Sequence, residues 1–287
     1  MPIHTQDYRH WEGTFIRQKY RRWWVIAKAE LKLLAQRKIV RLIVAIPPII
    51  YVLTYGILIY IHNILPEQLS TFITIDNGFF QKFLFSLSTF PTAPLIALVV
   101  IFGGSGLISN DLKHNVLSLY LSKPISWMDY LIGKFIVIGV LLVCMTLIPG
   151  LLLYLEHVLL TDTPFFKKYF WVPFSIILYS AIIIVTTGLL MLLFSSLTKN
   201  SMYAIIGFSS VWFGLPVIHA ILSEILSTSK VALVSIWANI DRLGRALFGM
   251  ESGYDVHWFW TILILSAVSS FCIFILRQRI RAVEIVK

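Results

Sequence analysis

The sequence predicts an all-α polytopic membrane protein with six transmembrane helices, and three observations lead there. Six charge-free apolar runs, 42–61, 83–110, 135–155, 169–198, 200–223 and 256–276, occupy about half of the 287 residues. Each is long enough to cross a hydrocarbon core ~30 Å thick, which takes roughly 20 helical residues. Lipid cannot satisfy open backbone groups, so such runs must be helices. Apolar residues make up 58% of the chain and the mean hydropathy is +0.82, above the range of soluble domains. The third observation is the uneven placement of a net charge of +10.

Ten Lys and Arg precede or begin the first span, from Arg9 to Arg41. Lys113, Lys123 and Lys134 follow the second span, Lys199 follows the fourth, and Arg277, Arg279, Arg281 and Lys287 close the chain. Together these are 18 of 24 basic residues on one side, against Lys82, Lys167, Lys168, Lys230, Arg242 and Arg245 on the other. By the positive-inside rule both termini are expected in the cytoplasm, which an even number of crossings allows. A basic stretch on its own resembles a nucleic-acid site. Beside a membrane span it reads as topology and contact with anionic lipid, so no nucleic-acid partner is expected. The late start of the first span, near residue 39, and its length speak against a cleavable signal peptide.

Taken in order, residues 21–38 are expected to form an in-plane elbow helix, with Trp23, Ala27, Leu31 and Leu34 on one face and Lys28, Lys32 and Gln36 on another. The first span, 39–61, carries Pro47-Pro48 and should kink, as packing geometry or as a hinge. Residues 62–82 read as a short outer loop. The second span, 91–108, has Pro91 and Pro94 at one end and Gly103-Gly104-Ser105-Gly106 at the other, where small residues permit close helix contact. Residues 109–133 form a cytosolic coupling segment with a helix–break–helix pattern. A short amphipathic helix is expected over 110–121, broken at Lys123-Pro124. Ser126 and Asp129 then form a capping box that starts the next helix. Spans at 134–155, 171–194, 202–222 and 257–276 complete the set. Residues 223–256 read as outer amphipathic helices that either gate a path or cap the bundle. One membrane domain, 1–287, is expected.

Catalytic chemistry finds little support. No Walker spacing accompanies the glycines at 103–106 or Gly133-Lys134, so nucleotide chemistry would belong to another chain. Cys144 and Cys272 lie inside spans without disulfide or metal spacing. Glu156-His157 invites a proton-relay or metal reading but falls at the outer boundary of the third span. An intramembrane enzyme is disfavoured because no His, Asp or Glu cluster converges within the spans.

The run Ile101-Phe102-Gly103-Gly104 through Leu107-Ile108-Ser109-Asn110-Asp111, then Leu117 to Ser126 and Asp129-Tyr130-Leu131-Ile132-Gly133-Lys134, resembles the permease subunit of type-2 ABC transporters. The likeness of motif covers about 35 residues, and that of topology nearly the whole chain. One departure stands out: many members carry Gly-Thr after the acid, where this chain has Asn115-Val116. The resemblance implies a bacterial inner-membrane protein that works with a separate ABC ATPase on the cytosolic side. ATP and Mg would be held there and no cofactor by this chain. It also implies a second permease copy, as homodimer or related heterodimer, and a role in export. By the same resemblance Asp111, Leu117, Tyr120, Leu121, Lys123, Pro124 and Ile125 would contact the ATPase, and Trp23, Trp24, Leu31 and Leu34 would hold the elbow helix. Some relatives pass ATP-driven motion to a protein outside the membrane without moving a solute. An outer accessory protein docking on 223–256 is therefore the alternative expectation.

Overall fold

A computed structural model describes residues 22–64, 77–85, 92–116, 125–160, 169–226, 228–251 and 256–285. Among them there is no strand, and six helical stretches are long and apolar enough to cross a membrane: Lys38–His62, Thr92–Lys113, Trp127–Leu160, Val172–Leu197, Ser201–Leu226 and Trp258–Ile280. The all-α polytopic fold read from the sequence is the fold observed.

The chain begins with α1 (Arg22–Gln36), separated by Arg37 from α2 (Lys38–Ile64), which stays helical through Pro47-Pro48. The expected outer loop after it contains a helix, α3 (Asn77–Leu84). Its Phe79, Phe80 and Phe83 are buried, with ring centroids 5.0–5.9 Å from Tyr55 and Tyr154. Three phenylalanines within five residues bury too much apolar area to remain in water, which the loop reading overlooked.

The second span is two helices, α4 (Thr92–Gly104) and α5 (Gly106–Lys113). At this break the first N–H groups of α5 have no intrahelical acceptor. The Ser195 hydroxyl accepts from the N–H of Ile108 and of Ser109, each at 3.0 Å, and donates to the Ser105 carbonyl at 2.8 Å. Small residues bring the helices this close: a Cβ on Gly104 would stand 2.8 Å from Met191 and 3.0 Å from Ile138. The helix expected over 110–121 is interrupted. α5 ends at Lys113, and Asn115 adopts a left-handed conformation with φ of 55°. That conformation suits glycine first and asparagine next. Asn115 thus takes the backbone conformation that glycine favours, at the position where many members of the resembling family carry Gly-Thr.

The third span joins α6 (Trp127–Met145) and α7 (Leu147–Leu160) across Thr146, and its 34 residues run about 51 Å, well past the hydrocarbon core. Glu156 and His157 thus lie on a continuing helix. α8 (Val172–Leu197) is the central helix, enclosed along most of its length, whereas α2, α9 (Ser201–Leu226) and α11 (Trp258–Ile285) present mostly exposed apolar faces. Between α9 and α11 lie a 3₁₀ turn, Ser229–Val234, and α10 (Ile236–Leu247), capped by Ser235. α10 caps the bundle. Trp237 packs edge-on against Trp212 at 5.6 Å, Ser175 donates to the Leu247 carbonyl at 2.9 Å, and Gln81 donates to Asp241 at 2.9 Å. At the opposite end the Arg277 guanidinium sits 5.5 Å over the Trp127 ring. The start of α6, the α1 packed on it and the end of α11 therefore share one end of the bundle.

Ser195→Ala is expected to leave two buried backbone donors unsatisfied and to lower stability by about 1–3 kcal/mol. Thermal unfolding in detergent checks this, with Ser196→Ala as control, because the Ser196 hydroxyl bonds only the Leu193 carbonyl of its own helix. Equal melting of the two variants would contradict it.

Candidate functional site

The end of the bundle that holds α1 gathers most of the buried charge among the described residues. α1 is amphipathic: Ile26, Ala27 and Leu34 are buried while Lys28 and Lys32 are exposed. It crosses α6 at Gly133. A Cβ there would stand 2.9 Å from the Trp23 carbonyl oxygen and 3.0 Å from Ile26 Cβ, so only a residue without a side chain lets the two backbones touch.

The next residue, Lys134, is fully buried. Its Nζ lies 2.6 Å from Glu30 Oε1 of α1 and 2.6 Å from Asp111 Oδ2 of α5. The Tyr130 hydroxyl, one turn earlier on α6, donates to the same Asp111 oxygen at 2.8 Å, and the Tyr130 ring lies 5.4 Å below the ammonium. Four residues from three helices thus form one buried cluster. Within a low dielectric a buried charge needs a partner: the Lys134 ammonium meets two carboxylates, the Tyr130 phenol donates to Asp111, and Glu30 keeps part of its contact with water.

Ser126 begins α6 as the capping box predicted. Its hydroxyl accepts from the Asp129 N–H at 3.1 Å, and the Asp129 carboxylate accepts from the Ser126 N–H at 3.2 Å. The segment between α5 and α6 therefore leaves from Asp111, held in the cluster, and re-enters through a fixed cap one turn before Tyr130.

Of the residues the sequence singled out, Asp111 is 8% exposed and engaged inside the chain, and Ile125 is half-buried just before the cap. Leu117, Tyr120, Leu121, Lys123 and Pro124 lie outside the described residues. On α1, Leu34 is buried, Trp23 and Leu31 are half-buried, and Trp24 is exposed, meeting Trp23 edge-on at 6.0 Å. Sequence reasoning missed Glu30 and did not connect Lys134 with Asp111. The available signal was a lysine at the very border of an apolar run, beside a glycine. Glu156 and His157, consecutive on a helix, face about 100° apart. His157 is buried and Glu156 lines a groove beside Tyr60. Among the described residues no three His, Cys, Asp or Glu assemble as metal ligands. The cluster holds three helices together.

Lys134→Ala is expected to cost about 3–5 kcal/mol, because two buried carboxylates lose their counter-charge. The triple replacement Lys134→Met, Asp111→Asn, Glu30→Gln should recover most of that loss. Chemical unfolding of the detergent-solubilised chain measures both, and a triple variant no better than the single one would contradict the account.

A comparison with curated proteins found no match. The sequence model of one family, described as ABC-2 family transporter protein, matches residues 24–239, well over half of the chain, from α1 into α10. The match takes in the α1–α6 crossing, the Lys134 cluster and the segment between α5 and α6, so the chain belongs to the ABC-2 transporter family and is a membrane permease component of an ABC transporter.

Proposed function

We propose that this permease couples ATP hydrolysis on a separate ATPase subunit to export of a substrate. Membership of the family implies an ABC ATPase partner and a dimeric arrangement. The single observation that carries the reading is the Glu30–Lys134–Asp111–Tyr130 cluster. It fastens α5 and α6, the helices on either side of the 117–125 segment, to α1. A push on the segment by an ATPase changing state then cannot be absorbed locally. It moves α1, α5 and α6 together, and through Ser195 it reaches the central helix α8.

In this reading Leu117, Tyr120, Leu121, Lys123, Pro124 and Ile125 meet the ATPase. Asp111 acts through Lys134 as a positioning residue at the base of the segment. Trp23, Trp24, Leu31 and Leu34 seat α1 at the membrane's inner surface, with both termini in the cytoplasm of a bacterial cell. ATP and Mg belong to the partner. The work comes from the difference in contact between the two ATPase states, as any ligand-driven shift requires.

Leu117→Asp or Tyr120→Asp should abolish co-purification of the ATPase, or weaken it roughly tenfold or more, since a desolvated charge placed in an apolar groove costs over 1.4 kcal/mol. Inside-out vesicles of the intact complex should accumulate substrate on ATP addition, and the variants should not. An ATPase that still binds both variants and still drives accumulation would sink the proposal.

A further inference from the structure

Four acidic residues fall inside the six candidate spans: Asp111, Asp129, Glu156 and Glu224. Asp111 pairs with Lys134, Asp129 closes the cap on Ser126, and Glu224 is exposed at the last turn of α9. Glu156 has neither a hydrogen bond nor an ion pair with any described residue. Its carboxylate leans on α2, where a Cβ on Gly56 would stand 2.8 Å from Oε2 and 3.0 Å from Oε1. Gly56 lies about four turns beyond Arg41, roughly 22 Å along the helix. With the basic start of α2 at one interface, that level lies in the outer part of a hydrocarbon core ~30 Å thick, close to the boundary expected for Glu156. A carboxyl group on an apolar face with no partner among the described residues calls for a counter-charge, and groups of this kind mark ligand or ion paths.

The surroundings indicate which ligand. Glu156 lines a shallow groove of about 380 Å³ between α2 and α7, walled by Tyr60, Leu152, Leu155, Leu159 and Leu160. The volume suits a small organic molecule. A hydrated metal ion needs several oxygen ligands, and here the groove offers one carboxylate. A neutral acyl chain would satisfy the leucines and leave the acid unmatched. An aromatic face beside a carboxylate, in an apolar setting, is the chemistry that recognises an organic cation.

We propose that this groove binds a lipophilic organic cation from the bilayer, with Glu156 as counter-charge and Tyr60 as aromatic wall. Gly56 gives the carboxylate room to lie back against α2. The assignment stands independently of ATPase coupling and of transport direction.

The test uses the full chain in phosphatidylcholine nanodiscs, titrated with tetraphenylphosphonium and with tetraphenylborate, which shares its shape and reverses its charge. Saturable phosphonium binding is expected, roughly tenfold or more tighter than borate, and weakened by a similar factor in Glu156→Gln, as for loss of a charged contact. Tyr60→Leu should weaken it several-fold. Gly56→Ala provides a second variant that keeps the charge, since its methyl displaces only the flexible end of Glu156; it too should bind less tightly while melting like the parent chain. No saturable phosphonium binding, equal binding of borate, or unchanged affinity in both Glu156→Gln and Gly56→Ala would overturn the assignment. So would an inter-subunit cross-link through Leu159→Cys that phosphonium fails to suppress, since a second copy would then fill the groove.

Discussion

Lys134 has no contact with solvent and holds two carboxylates from two other helices. Removing three charged groups from water is expensive, and replacing such clusters by apolar side chains often costs nothing in stability. What the cluster supplies is register. Apolar helices in lipid slide and rotate against one another cheaply, because lipid tails are as apolar as leucine and no hydrophobic force selects one packing. An ammonium that must reach Glu30 and Asp111 at once fixes the height and rotation of α1 and α5 against α6. A lysine suits this better than an arginine: its point charge on a flexible stem accepts partners from two directions, whereas a guanidinium fork favours one carboxylate face on.

The same demand for internal satisfaction explains where the helices break. At Ser105 the discontinuity is filled by Ser195, whose hydroxyl accepts from two orphan donors and donates a hydrogen bond to the Ser105 carbonyl. Just past the end of α5, Asn115 takes a left-handed conformation. The enclosed helix α8 supplies the group at Ser105. The helices with the most exposed apolar faces, α9 and α11, carry no discontinuity among the described residues.

Much of this was legible in the sequence, for physical reasons that also set its limits. The spans were readable because apolar runs of this length have no other stable conformation in lipid. The Ser126 cap was readable because its partners are three residues apart. The Lys134 cluster was not, because its bonded pairs Tyr130–Asp111 and Lys134–Glu30 stand 19 and 104 residues apart and each acid or lysine alone looks like an ordinary boundary charge. Glu30 in particular sits on a helix rich in lysines, where one acid reads as part of a solvated face. α3 was hidden by the polar residues around it, although Phe79, Phe80 and Phe83 carried the signal. The stop at Asn115 was available too, since asparagine after a helix's last turn is an ordinary terminator.

The two ends of the third span carry opposite electrostatic situations, and the span itself connects them. Lys134 near its start is over-matched by acids, and Glu156 near its end is matched by nothing described. Between them lies Thr146, where α6 gives way to α7. This joint is not a free hinge. The Thr146 N–H still donates to the Leu142 carbonyl at 2.8 Å, and the Gly150 N–H to the Thr146 carbonyl at 3.0 Å. The Thr146 hydroxyl also bonds the Leu142 carbonyl at 2.8 Å, the kind of back-bonding that bends a helix without severing it. Pro149 donates no hydrogen bond, which loosens the ladder by one rung there. One span thus carries, on either side of Thr146, the buried Glu30–Lys134–Asp111 group and a carboxylate that no described residue pairs.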